Sequence, residues 1–327
     1  MTETFINKPV TTKPMVSLAG LSIPKWIFFS VLTIILYGLM GVVAKFASNT
    51  ISPFLVQIIS SFGMVPLLLM LMIKKKTKKE VSRRLNMGIL FSVLVGVLSV
   101  VASVSQFLAY SKGGPASIVV PVISLASLVT ILMARIVFGD KLNIYQLTGI
   151  VLSIIAILMF NSGGTDMPKI SGPWWRTIFS SWMIFSLLGL FAAGTAQFFI
   201  KSATNHVSSD LVTVIVLSTT LVLTVVLVFT QSFSWNMSIK DLIACLVVGI
   251  LGSAAFLTQS VAYSSGITSL VAPLCSLFPV VTVIVSAIFL GEKLTGILIV
   301  AVVISTIAGV TISIEERIID LKVPEVK

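Results

Sequence analysis

The sequence predicts an all-α integral membrane protein of about ten transmembrane helices, arranged as two inverted five-helix repeats. Three observations carry that prediction. Of 327 residues, 57% are apolar and only 10% charged, and the mean hydropathy of +1.11 is more than a water-exposed surface can hold. Residues 121–142 align with residues 273–294 with nine identities in twenty-two positions. An odd number of spans per copy makes the second copy enter the membrane in the opposite sense, which is the geometry of an inverted repeat.

Taken in order, residues 1–24 contain Lys8, Lys13 and three prolines without a continuous apolar core. They read as a disordered cytosolic tail and not as a cleavable signal peptide. Residues 25–161 hold the first repeat, with spans at approximately 25–47, 53–73, 86–110, 115–138 and 143–161. Each is long enough to cross hydrocarbon at about 1.5 Å per residue. A Gly/Pro/Trp-rich linker, 162–177, separates it from the second repeat, 178–314, with spans at approximately 178–201, 208–230, 241–263, 268–290 and 295–314. The run Ser264-Ser265-Gly266-Ile267-Thr268-Ser269 divides what hydropathy alone would read as one very long helix. Residues 315–327 form a second cytosolic tail.

The net charge of +11 does not point to nucleic acid, because seven of the 22 basic residues lie in one short run, 74–84, flanking a span. Such clusters set orientation and touch anionic headgroups. With the N-terminus in the cytosol, 16 basic residues fall on the cytosolic side and six outside, so both termini are expected in the cytoplasm of a multi-pass protein of the plasma or inner membrane. Cys245 and Cys275 fall within spans and read as small apolar residues.

Two further correspondences tie the halves together. Lys45-Phe46-Ala47-Ser48-Asn49 matches Lys201-Ser202-Ala203-Thr204-Asn205, and Gln106-Phe107-Leu108-Ala109-Tyr110 matches Gln259-Ser260-Val261-Ala262-Tyr263. In each Gln/Tyr pair the i, i+4 spacing projects both side chains from one helix face. A glutamine in hydrocarbon must find hydrogen bonds in a neighbouring helix or in a cavity, and polar intramembrane residues generally face bundle interiors. Gln106, Tyr110, Gln259 and Tyr263 are therefore the leading candidates for solute contact. Lys45 and Lys201 offer positive charge to an anionic solute, with Gln197 one turn before Lys201, although a lysine stem also snorkels to the interface. His206 reads as an interfacial loop residue.

Pro121, Pro273 and Pro279 interrupt the fourth and ninth spans, since proline removes a backbone donor and clashes with the carbonyl four residues earlier. They are candidate hinges. Ser124 and Ser276, equivalent across the repeat, can satisfy the freed backbone or meet solute. The charged turns Gly139-Asp140-Lys141 and Gly291-Glu292-Lys293 read as structural, the carboxylate capping the next helix. Gly38, Gly41, Ser99, Ser103, Gly249 and Gly252 are small residues that let helices approach.

These motifs resemble the drug/metabolite transporter superfamily, specifically its EamA-type branch. The resemblance rests on Ala109-Tyr110-Ser111 before a helix carrying Pro121, on Phe138-Gly139-Asp140-Lys141-Leu142, and on Leu290-Gly291-Glu292-Lys293-Leu294 closing the second copy. Asp140 stands where a glutamate is usual. The resemblance implies two inverted repeats around a cavity lined by the first, third and fourth helices of each half, and movement of small metabolites, mostly outward.

The expected function is secondary transport of small organic metabolites by alternating access, as an exporter. The alternative from a different class is a passive pore or a non-transporting interaction protein. No carboxylate lies in the middle of a span, and there is no Walker loop, His-Glu-x-x-His or metal-spaced His/Cys set, so no enzymatic activity, metal or cofactor is expected. The expected partners are a small-molecule substrate, membrane lipids and a second copy in a homodimer, with no nucleic acid.

Overall fold

A chain in hydrocarbon must satisfy its own backbone, so each apolar run folds as a helix, and polar caps and prolines set where it starts and stops. The computed structural model describes residues 15–18, 21–73, 85–138, 143–162, 180–204, 206–230, 237–265, 271 and 274–312. The first repeat comprises α1 (Lys25–Ser48), α2 (Pro53–Gly63), α3 (Val65–Ile73), α4 (Leu85–Ser111), α5 (Ala116–Ser124), α6 (Ala126–Phe138) and α7 (Ile144–Ser162). The second comprises α8 (Ser181–Thr204), α9 (Ser209–Thr230), α10 (Ile239–Ser265), α11 (Phe278–Phe289) and α12 (Gly296–Ile312). Counting α2 with α3 and α5 with α6, seven described stretches are long and apolar enough to cross a membrane, and three shorter apolar helices lie in spans five, nine and ten. Phe229, Ile73, Ile136 and Phe289 are more than three-quarters exposed, as lipid-facing residues are.

Ahead of α1, β1 (Met15–Leu18) and β2 (Leu21–Pro24) pair antiparallel, with Val16 opposite Ile23 and Leu18 opposite Leu21. This part of the stretch read as a disordered tail therefore carries backbone pairing, favoured by its β-branched and apolar partners.

Local sequence explains the helix ends. The Ser52 hydroxyl accepts from the Leu55 amide ahead of Pro53. Asn143 and Gln146 exchange side-chain-to-backbone bonds at the start of α7, and Ser238 and Asp241 do the same at α10, each a reciprocal cap. Span two breaks at Met64 because Pro66 cannot donate to the carbonyl of Phe62. Span four breaks not at Pro121 but four residues later, at Leu125. The Ser124 hydroxyl donates to the Pro121 carbonyl at 2.7 Å, and the Leu125 amide turns to Val122. Span nine breaks alike, with the Leu277 amide on the Leu274 carbonyl. Pro279 sits at the first positions of α11, where its missing N–H costs nothing.

The duplication is legible in the packing. The register that puts Lys45 on Lys201 puts Gly38 on Gly194, and the one that puts Pro121 on Pro273 puts Thr130 on Thr282. In space Thr282 donates to the Gly38 carbonyl at 3.0 Å and Thr130 to the Gly194 carbonyl at 2.8 Å. A methyl added at Gly38 would strike Val281, and one at Gly194 the equivalent Val129. In the same way Gly249 lies against Ser60 and Gly63 of α2, and Gly96 against Val216 and Thr219 of α9. The first helix of each half also packs on the third helix of the other, α1 on α10 and α8 on α4, while α7 packs on α12.

Candidate functional site

Between the α1/α10/α11 side and the α4/α5/α8 side lies a cavity of about 240 Å³. Its lining comes from the middle of both repeats. Tyr37, Met40 and Gly41 of α1 face Ala193, Ala196 and Gln197 of α8. Ser99, Ser103 and Gln106 of α4 face Gly252, Phe256 and Gln259 of α10. Each of these second-half residues occupies the repeat position of its first-half counterpart. The second span of each half adds to the first, third and fourth, through Gln57, Met64 and Thr220.

Four of the nine candidate contacts reach this space: Gln106, Gln197, Gln259 and Ser124. Gln106 Nε2 donates to the Tyr110 hydroxyl at 2.7 Å, and Gln259 Oε1 accepts from the Tyr37 hydroxyl at 3.3 Å. Tyr110 and Tyr263 do not line the cavity. Neither does Ser276, which packs against Gly309 of α12. Lys201 is in the last turn of α8, its side chain outside the described residues, as are Pro273 and the turn 139–142. Tyr37 and Gln57 are cavity residues that spacing did not single out. Ala193 stands at the repeat position of Tyr37, so the duplication gives no paired signal for it. Ser103, read as packing, both lines the cavity and donates to Gln57 Oε1.

Lys45 departs most from expectation. It is buried, its Nζ donates to the Tyr110 carbonyl at 3.2 Å and sits 5.6 Å from the centroid of the Tyr110 ring. The carbonyls at the end of α4 and the ring face neutralise the cation locally, so Lys45 ties α1 to α4 instead of facing a solute.

Glu292 differs in its target. Its carboxylate caps not the next helix but α5, in the other half: Oε1 accepts from the Ala116 amide at 2.7 Å and Oε2 from the Ser117 amide at 2.9 Å. Two free N–H groups and the helix dipole hold the anion there. Gly291, at φ +65°, supplies the left-handed turn that aims it.

Together these contacts tie α1, α4, α5 and the turn before α12 to one another at one end of the bundle. The Tyr110 hydroxyl donates to the Gly41 carbonyl at 3.3 Å, and one continuous buried cluster joins Ala44, Phe107, Tyr110, Val119 and Val283 across the two sides. At the opposite end the buried apolar residues divide. Val95, Ala203, Val207, Val212 and Val216 form one set with α4, α8 and α9. Ala262, Val271 and Cys275 form another with Trp26, Phe29 and Tyr263. Ser209 Oγ donates to the Ser260 carbonyl near this end. His206 lies here, stacked near Phe91.

Among the described residues, no group of His, Cys, Asp and Glu could hold a metal. The model of the EamA-like transporter family matches residues 24–162 and again residues 180–314. Twenty-eight chains of solved structures match. One, a crystal structure of a protein, shares 13% identity, covers 88% of this chain and 95% of its own, and superposes with a TM-score of 0.57, a likeness of fold alone. No curated protein matches the sequence.

Proposed function

The chain belongs to the EamA-like transporter family, and on that premise we propose that it moves a small organic solute across the membrane by alternating access, with the Glu292 end shut in this state. One observation carries the reading. Residues equivalent under the inverted repeat stand in unequal environments: Tyr110 is buried and bonded across the two sides, while its counterpart Tyr263 is half-buried and makes no hydrogen bond to a described residue. Two copies of one sequence unit, related by inversion and holding different conformations, are what a two-state carrier needs, since exchanging the conformations between copies opens the other end. A pore has no use for that asymmetry.

Export is the direction the reading favours. The positive-inside distribution puts the Glu292 end outside the cell, which leaves the less tightly packed end toward the cytosol, where an exporter loads. Counterflow in proteoliposomes preloaded with a defined pool of small metabolites, followed by mass spectrometry, tests the function. Saturable, trans-stimulated exchange is expected. Linear, non-saturating leakage would replace the carrier with a pore.

A further inference from the structure

We infer that the cavity selects a solute without net charge that presents a hydrogen-bond donor and acceptor side by side, such as an amide, lactam or urea edge on an apolar or aromatic body. The inference rests on reading the cavity as the solute site. Its first support is a charge inventory: no Asp, Glu, Lys, Arg or His lines the cavity among the described residues. Among the described residues, Lys45 and Glu292 are engaged elsewhere, Lys45 on the Tyr110 carbonyl and Glu292 on the amides of α5. A net charge brought into such a space loses its hydration and gains no counter-charge.

The second support is which polar valences the protein leaves open. Gln106 uses one of its two amide N–H groups on Tyr110, which leaves Oε1 free to accept and one N–H to donate. Gln259 uses one lone pair of Oε1 on Tyr37, which leaves Nε2 with both N–H groups to donate. Gln197 hydrogen-bonds to no described residue and keeps both functions. The open groups are thus neutral amides of both senses, drawn from both repeats, and an amide is satisfied by another amide edge. The walls between them, Met40, Phe256 and Phe278, are apolar and aromatic. At about 240 Å³ the space lies below the roughly 300–1,000 Å³ of sites for drug-sized ligands, which points to a compact molecule.

An isosteric charge series tests this on the full-length protein in detergent. Benzamide, benzoate and benzamidinium share one planar skeleton and are neutral, anionic and cationic. In equilibrium dialysis with radiolabelled probes, saturable binding of benzamide is expected, with both ions at least about tenfold weaker because their charge is uncompensated. Gln197→Glu should reverse the order of benzamide and benzamidinium, and Gln197→Leu should weaken benzamide about tenfold. Benzoate or benzamidinium binding as tightly as benzamide to the natural protein, or no saturable benzamide binding, would overturn the inference. So would an unchanged order in Gln197→Glu. Benzoate preference abolished by Lys201→Met would assign the site to anions instead. Counterflow of a charged metabolite with this binding pattern absent leaves transport standing and removes the charge rule. The binding pattern without any exchange removes the transport reading.

Discussion

The two Gln/Tyr pairs are one motif in two settings. Around Gln106 and Tyr110 the groups interlock: amide to hydroxyl, hydroxyl to the Gly41 carbonyl, and Lys45 onto the Tyr110 carbonyl. Around Gln259 and Tyr263 the interlock is absent, and Gln259 turns to Tyr37 of α1 instead. The two motifs share Gln and Tyr at the same spacing, but Ala193 stands at the repeat position of Tyr37, so the partner of Gln259 has no counterpart beside Gln106 and sequence sets that part of the difference. On the alternating-access reading, the Tyr110 contacts and their absence at Tyr263 belong to the state of the whole bundle, and each tyrosine takes the other's setting when the bundle switches.

The comparison assumes that the halves are built alike away from their ends, and the glycine contacts test that assumption with the largest expected effect. In Gly249→Ala the new methyl would overlap the Ser60 carbonyl oxygen, a backbone atom that cannot swing away, whereas in Gly96→Ala it meets the Thr219 side chain. Overpacking costs about 1–3 kcal/mol, so Gly96→Ala should lower the melting temperature and Gly249→Ala should lower it further. Gly296→Ala, with nothing within 4 Å, is the silent control. A melting curve for Gly249→Ala that matches the control would mean that the α2–α10 contact is looser than drawn.

Next in size is Glu292→Gln. The loss is of charge-assisted bonds to two amides, each bond to a charged group being worth about 1.5–3 kcal/mol. The shut end should therefore open more often by roughly ten- to a hundredfold. A cysteine placed at Val120, a buried cavity position, reports it: membrane-impermeant thiol reagent added from the Glu292 side should label Glu292→Gln faster by that factor. An unchanged rate would show that the carboxylate does not hold this end closed.

Gln106→Leu and Gln259→Leu come third. Each removes an amide from the cavity and should lower solute flux in vesicles at unchanged protein yield. Each also removes one hydrogen bond from a tyrosine hydroxyl, Tyr110 for Gln106→Leu and Tyr37 for Gln259→Leu, a further loss of about 0.5–1.5 kcal/mol. Unchanged flux in both would remove the pair from the solute path.

Much of this architecture was legible in the chain. Ten apolar runs, their breakers and the recurrence of Lys45, Gln106 and Pro121 at Lys201, Gln259 and Pro273 fixed the number of spans and the duplication, because membrane helices must be long, apolar and internally bonded. What escaped was rotational and long-range. Spans apolar on every side do not say which face meets the cavity, so the sequence points to Lys45 and Ser276 and not to Tyr37 and Gln57. The target of Glu292 was missed because the amides of Ala116 and Ser117 are adjacent only after the two halves have packed. The sequence neighbour, the start of α12, is capped by Thr295 through the Leu298 amide. Proline marked where spans four and nine weaken, but the carbonyl that Ser124 captures decided that the break falls at Leu125.

The smallest effect is the most direct reading of the difference between the ends. Tyr110→Phe deletes a hydroxyl that accepts from Gln106 and donates to the Gly41 carbonyl, leaving a half-buried amide and a carbonyl each short of one partner. Tyr263→Phe deletes a hydroxyl that bonds to no described residue on a half-buried ring. At about 0.5–1.5 kcal/mol for a net hydrogen bond, only Tyr110→Phe should lower the melting temperature of the protein held in this state. If a ligand or a bound partner traps the opposite state, inversion of the repeats requires the order to reverse, with Tyr263→Phe now the costly change. Equal sensitivity of both tyrosines in both conditions would mean that the asymmetry is a fixed property of each half, and the two ends would no longer be interchangeable.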